Sequence, residues 1–126
     1  MALVTLDQAR RHLNIPASGT PPVSEHDLDI AEKQTEAEAL VIGYVRRRMG
    51  AEASAAWLAE VATWDVTAVP VVTPPAQVRA AVLRMLGDLW RYRGDDLEHV
   101  RPPIEPGELP RHVTTLLDQL CDPAFA

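Results

Sequence analysis

The stretch VRAAVLRMLGDLWRYR, residues 78–93, decides the fold. Val78, Ala81, Val82, Met85, Leu86, Leu89 and Trp90 recur at i, i+3, i+4, i+7 and i+8 without a miss. Side chains three and four positions apart share one side of a helix, so this spacing predicts an amphipathic helix with a continuous apolar face. Val78, Val82, Met85, Leu86, Leu89 and Trp90 are the expected core. Ala80, Leu83 and Gly87 lie off that stripe, on a second face. Upstream, Thr73 is placed to cap, and Pro74 suits the first helical position, where a missing N–H is no loss. Downstream, Arg91 and Arg93 meet the negative end of the helix dipole, and Gly94 is suited to the left-handed conformation that closes a helix. Arg93-Gly94-Asp95, an adhesion signal in some secreted ligands, is therefore read as a helix end entering a polar loop.

The eleven prolines cluster at 16–22, 70–75, 102–110 and 123, and the proline-free runs between them are the expected helices. TLDQARRHL, 5–13, has Thr5 and Gln8 at capping-box spacing, with Leu6, Ala9 and Leu13 on one face and Pro16 as the stop. A long helix is expected over Glu25–Met49. Ser24 would cap it, Glu25, Asp27 and Asp29 would sit at its positive end, and Gly50 would close it. Leu28, Ala31, Thr35, Ile42, Val45 and Met49 form one seam, while Leu40, Val41 and Tyr44 add a second apolar face. Residues 51–62 are alanine-rich and helical, and Pro110–Leu120 forms the last helix, with Val113, Leu116, Leu117 and Leu120 together. VPVV at 69–72 is the only short strand candidate. The expected class is all-α: a small single-domain helical bundle over residues 1–126, with two long helices, short N- and C-terminal helices and proline-rich loops.

A chain of 126 residues is long enough to bury a core without disulfides or metal. It has a single phenylalanine, so leucine, valine, alanine and three tryptophans must fill that core. Twelve basic and eighteen acidic side chains give a net charge of −6, shared evenly between the two halves. An acidic surface repels phosphate, which disfavours nucleic acid as a tightly bound partner. One cysteine, Cys121, and no leader-like apolar run point to a reducing cytoplasm and no membrane association.

Catalytic chemistry finds no footing. His12, His26, His99 and His112 contain no helical i, i+4 pair, and one cysteine builds no zinc knuckle. Asp95, Asp96, Glu98 and His99 are read as a solvated loop in preference to a metal cluster. Phosphate-cradling and nucleophile-elbow motifs are absent from the sequence. No enzyme, metal or cofactor is expected. Arg46, Arg47 and Arg48 form a basic helix end, and the acidic run from Glu25 to Glu38, including Glu32 and Glu36, lies at the opposite end of the same helix. One helix cannot neutralise itself over that distance, but a neighbouring copy is able to. These residues are the candidate interface.

The order of segments is also informative. VTLDQARRHLNI is followed by DLDIAEKQTEAEALVIGYVRR, a Trp-containing linker, VP, QVRAAVLRMLGDLWRYRGDD and finally LPRHVTTLLDQLCDPAFA. This order resembles the head–tail connector (adaptor, head-completion) proteins of long-tailed double-stranded DNA phages. VRAAVLRMLGDLWRYR and the terminal LPxxVxxLLxxxxDPAxA pattern carry the resemblance most specifically, and residues 51–63 depart from it in length and alanine content. The resemblance implies a virion protein made in the bacterial cytoplasm. It implies a homo-oligomeric ring, twelve-fold by the family pattern, below the portal protein. DNA would pass through the lumen without sequence-specific binding, and a neck or tail completion protein would dock beneath. Residues 109–126 would be an assembly arm toward the portal or a neighbour. Phe125, the only phenylalanine, is itself expected either in a neighbour's pocket or folded back on Leu117 or Leu120. The alternative reading is a small DNA-binding regulator, because TLDQARRHLNI also resembles the opening of a helix-turn-helix segment.

Overall fold

The computed structural model describes residues 2–92 and 109–121, and in them the chain is an all-α bundle of five helices. Helix α1 spans Leu6–Leu13, α2 Asp27–Arg48, α3 Ala51–Val61, α4 Ala76–Arg91 and α5 Arg111–Cys121. The α4 stripe is the centre of the molecule. Val78, Ala81, Val82, Met85 and Leu86 are fully buried, Leu89 is nearly so, and Trp90 packs half-buried at the end of the row. Helix α4 packs chiefly against α2 and α5, with α1 laid across both α2 and α4 and α3 against α2. Gly87 permits the close approach of α1: a methyl group there would stand 3.3 Å from His12 Nε2. Burial, and then the Arg84 cation, push the His12 imidazole below the ordinary histidine range.

Helix α1 is capped as its sequence predicts. The Gln8 N–H donates to Thr5 Oγ1 (3.1 Å) and the Thr5 N–H donates to Gln8 Oε1 (2.8 Å), a reciprocal capping box. Its end is set earlier than Pro16. Asn14 adopts a left-handed conformation (φ 56°), and the Asn14 and Ile15 N–H groups fold back onto the last turn.

Other boundaries differ from expectation for local reasons. Helix α2 begins at Asp27, not Glu25, and Ser24 is not its cap. Instead the Ser24 N–H donates to the Asp27 carboxylate (3.1 Å), and the His26 N–H donates to Ser24 Oγ (3.2 Å), a turn that precedes the helix. Gly50 does not close α2 in the left-handed region. Met49 turns extended, and Gly50, at φ −69°, is the N-cap of α3. Thr73 and Pro74 lie before α4, whose N-cap position is held by Pro75. The Val69–Val72 segment is not a strand, since only an isolated Val72–Asp65 backbone pair forms there.

The largest departure is on α2. The expected seam is split: Leu28 is 87% exposed and Ala31 and Thr35 are exposed, whereas Val45 is fully buried and Ile42 and Met49 pack half-buried against the core. The buried face is Ile30, Gln34, Ala37, Glu38, Val41, Tyr44 and Val45. Two of those residues are polar, and both hold the N-terminal segment. The Leu3 N–H donates to Glu38 Oε1 (2.9 Å), while Gln34 Nε2 donates to the Val4 carbonyl (2.7 Å) and to Glu38 (3.3 Å). Leu3 and Val4 are thereby fully buried. Buried polar groups require such partners, and here one set of bonds serves both elements.

Helix α5 belongs to the same core. Leu109, Val113 and Leu117 are buried, so residues 109–121 pack on the bundle. The Tyr44 hydroxyl donates to Asp118 (2.9 Å), and Arg84 donates to the His112 carbonyl (3.0 Å), tying α5 to α2 and α4. The expected helix closure at Gly94, the Arg93-Gly94-Asp95 tripeptide, the Asp95, Asp96, Glu98 and His99 cluster, and Phe125 lie outside the described residues.

Candidate functional site

Helix α2 keeps an entire face in solvent, and that face is chemically graded. Its N-terminal half presents Asp29, Glu32 and Glu36, all exposed; its C-terminal half presents Arg46 and Arg47, also exposed, while Arg48 is exposed on the side toward α5. Glu38, part of the acidic run in the sequence, does not join this surface, because it is buried on Leu3 and Gln34. Glu36 pairs with Lys33 one turn away (3.2 Å). Arg48 lies 3.9 Å from Asp118 and 5.7 Å from the centre of the Tyr44 ring, so its charge is partly engaged within the chain. Glu32 and Arg46 form no ion pair among the described residues.

Between the two charged poles lies an apolar groove of about 420 Å³, lined by Thr35, Glu38, Ala39, Ile42, Gly43, Arg46 and Leu58. Its floor is low because Ala39 and Gly43 carry almost no side chain. Its far wall is Leu58 on α3, 40% exposed. Helix α3 is held in place from its other side. Trp57 packs edge-on against Trp64 with ring centroids 5.3 Å apart, and its indole N–H donates to the Ile42 carbonyl (3.3 Å).

A second apolar feature is convex. The loop after α3 carries Val69, 98% exposed, and Val71, 58% exposed, on either side of Pro70. Its root is tied. Asp65 accepts from the Thr67 N–H (2.9 Å) and hydroxyl (2.6 Å), and Asp65 and Val72 exchange backbone bonds of 2.9 and 3.1 Å. Those Thr67 bonds hold the Asp65 carboxyl below the usual carboxylate range.

The first turn of α2 is anchored by a charge-assisted fork. Arg10 Nε and Nη2 donate to the two Asp27 oxygens at 2.9 and 2.7 Å, with the Arg10 side chain only 8% exposed. The Arg10 bonds keep the Asp27 carboxyl below its ordinary range, and the Ser24 N–H adds to the effect. Because the folded-state value lies below the unfolded one, this contribution is complete above about pH 4 and is lost as pH falls through the folded value. Asp27→Asn is therefore expected to melt at a lower temperature than wild type at pH 7, with the gap closing as acid protonates the Asp27 carboxylate. A gap of equal size at pH 7 and pH 2 would contradict the assignment.

Sequence reasoning located Glu32, Glu36 and Arg46–Arg48 on this surface but missed Ala39, Gly43, Leu58, Val69 and Val71. The available signal was that α2 carries apolar residues around more of its circumference than one buried face accommodates. Among the described residues no group of three or more His, Cys, Asp or Glu is placed to hold a metal ion, and no helix is long and apolar enough to cross a membrane. The fold and surface define a small all-α bundle with a graded, groove-bearing helix face. No family model, curated protein or solved structure matches the chain.

Proposed function

We infer that the chain is a structural subunit of a phage head–tail connector: a ring-forming virion protein that sits below the portal, extends the DNA channel and receives the next neck or tail protein. The observation that carries this reading is the excess of interaction surface over core. A hydrophobic interior is built, yet Leu28 on α2, the α3 wall at Leu58 and the Val69–Val71 loop remain outside it. Exposed apolar features combined with opposed charges on one small chain are the properties of a protein that finishes burying its surface in an assembly. The resemblance in segment order supplies the identity of that assembly. An excess of eighteen acidic over twelve basic side chains also suits a channel wall, because DNA phosphates are repelled and slide without sticking. The role is structural, without catalysis or cofactor.

The experiment is mass photometry of the purified chain mixed with portal rings from the same virion. The expected result is a discrete mass increase equal to one ring of copies on each portal. Failure to add to portal rings across a wide concentration range would overturn the reading. Salt-dependent DNA binding in the same preparation would favour the DNA-binding regulator instead.

A further inference from the structure

We propose that before assembly the free protein forms a closed, twofold dimer in which the groove faces of two α2 helices pair antiparallel about Ala39. The occupant of the groove is thus the same groove of a second copy.

Charge complementarity in reversed order favours this pairing. Glu32 and Arg46 lie seven residues either side of Ala39, and Thr35 and Gly43 lie four residues either side. Turning one copy end for end about Ala39 sets Glu32 opposite Arg46 of the second copy, and does so twice. It also sets Thr35 opposite Gly43 and Ala39 against itself. Each Glu32–Arg46 pair would stand roughly 10 Å along the axis from the centre. At the shallow crossing of about 20° available to long helix pairs, flexible Glu and Arg side chains span the separation there. A parallel, in-register pairing instead sets acid on acid and base on base.

The surface between these pairs is already suited to close contact. Ala39, Gly43 and Thr35 form a floor without bulk, while Ile42 and Leu58 supply apolar walls. Glu32 and Arg46, the two residues brought together, have no ion pair in their own chain among the described residues. Leu28, 87% exposed and in line with Thr35 and Ile42, falls near Gly50 and Met49 of the second copy, where its burial has a purpose.

This inference does not rest on the connector reading. A twofold contact is self-satisfying, whereas a head-to-tail contact through the same face is open-ended and grows into rings or filaments. The dimer would hold the α2 face out of such contacts until a stronger partner competes for it.

The test is sedimentation velocity on the purified full chain at low ionic strength. Wild type is expected at twice the 13.9 kDa chain mass, moving toward monomer as salt screens the pairs. Glu32→Arg and Arg46→Glu each place like charges at both ends of the contact, and each is expected to weaken the dimer at least about tenfold. An equimolar mixture of the two variants has only attractive pairs and regains a two-chain particle, which also shows that both variants are folded. In a Cys121→Ser background, Ala39→Cys is expected to give a disulfide-linked dimer on mild oxidation, since only a twofold axis brings one residue against itself. A monomeric wild type at every concentration overturns the proposal. So does a dimer that neither charge reversal weakens, or a mixture that remains monomeric. A dimer that Ala39→Cys fails to cross-link overturns the antiparallel geometry.

Discussion

Replacing Leu86 with alanine is expected to destabilise the fold by about 2–5 kcal/mol, the usual cost of emptying a fully buried leucine site. Leu86 is completely shielded from solvent in the middle of the α4 stripe, on the helix that contacts α1, α2 and α5. The loss combines the transfer term of the deleted methyl groups with a cavity that three neighbouring helices cannot collapse without moving together. The contrast is Leu28→Ala. Leu28 is the same residue type, in a seam that looks equally apolar in sequence, yet it is 87% exposed. Its replacement is expected to change monomer stability by no more than about 0.5 kcal/mol. Denaturant midpoints of the two variants at one low protein concentration make the comparison. Equal losses at both positions would show that the buried face of α2 has been misassigned.

Glu38→Ala is expected to cost about 1–3 kcal/mol, a large effect for removing an acidic side chain from an acidic protein. In the folded chain Glu38 accepts from the buried Leu3 N–H at 2.9 Å and from Gln34. Alanine leaves that backbone donor inside the protein with nothing to accept it, and the Ala2–Thr5 segment loses one of two polar anchors on α2. The other anchor, Gln34 to the Val4 carbonyl, remains. Glu38→Gln keeps an acceptor oxygen and is expected to retain part of the stability. Hydrogen exchange at the Leu3 amide reads the effect directly. Unchanged Leu3 protection in Glu38→Ala would sink this account, whatever the global stability.

Much of the fold was legible because α4 offers one apolar stripe and no competitor. Seven positions at helical spacing leave a single face to bury, and the structure buries it. The Thr5–Gln8 capping box was legible for a similar reason: all of its atoms lie within four consecutive residues. The start of α2 was not, although Ser24 is a good cap in isolation. Arg10, seventeen residues from Asp27, takes the Asp27 carboxylate, and the Ser24 N–H donates to that same carboxylate, so the turn before the helix forms around a distant cation. The candidate surface was half legible. Charges at helix ends are visible in any sequence, so Glu32, Glu36 and Arg46–Arg48 stood out. The groove between them did not, because Ala39 and Gly43 acquire meaning only once Leu58 of α3 stands beside them.

The sequence by itself determined the helical class, the position of all five helices to within a few residues, and the identity of the central stripe. These follow from spacing and capping, which act over one or two turns. Which members of the two α2 faces would be buried was decided only by tertiary structure. The buried side takes Val45 from one and Val41 and Tyr44 from the other, and adds Gln34 and Glu38, which hydrophobicity alone does not select. The N-terminal segment accounts for that polar pair. Its buried Leu3 N–H and Val4 carbonyl require an acceptor and a donor, and Glu38 and Gln34 provide them. Satisfying those backbone groups turns the polar pair inward and leaves Leu28, Thr35 and Ala39 facing outward, with Ile42 at the edge, as the surface available to a second chain.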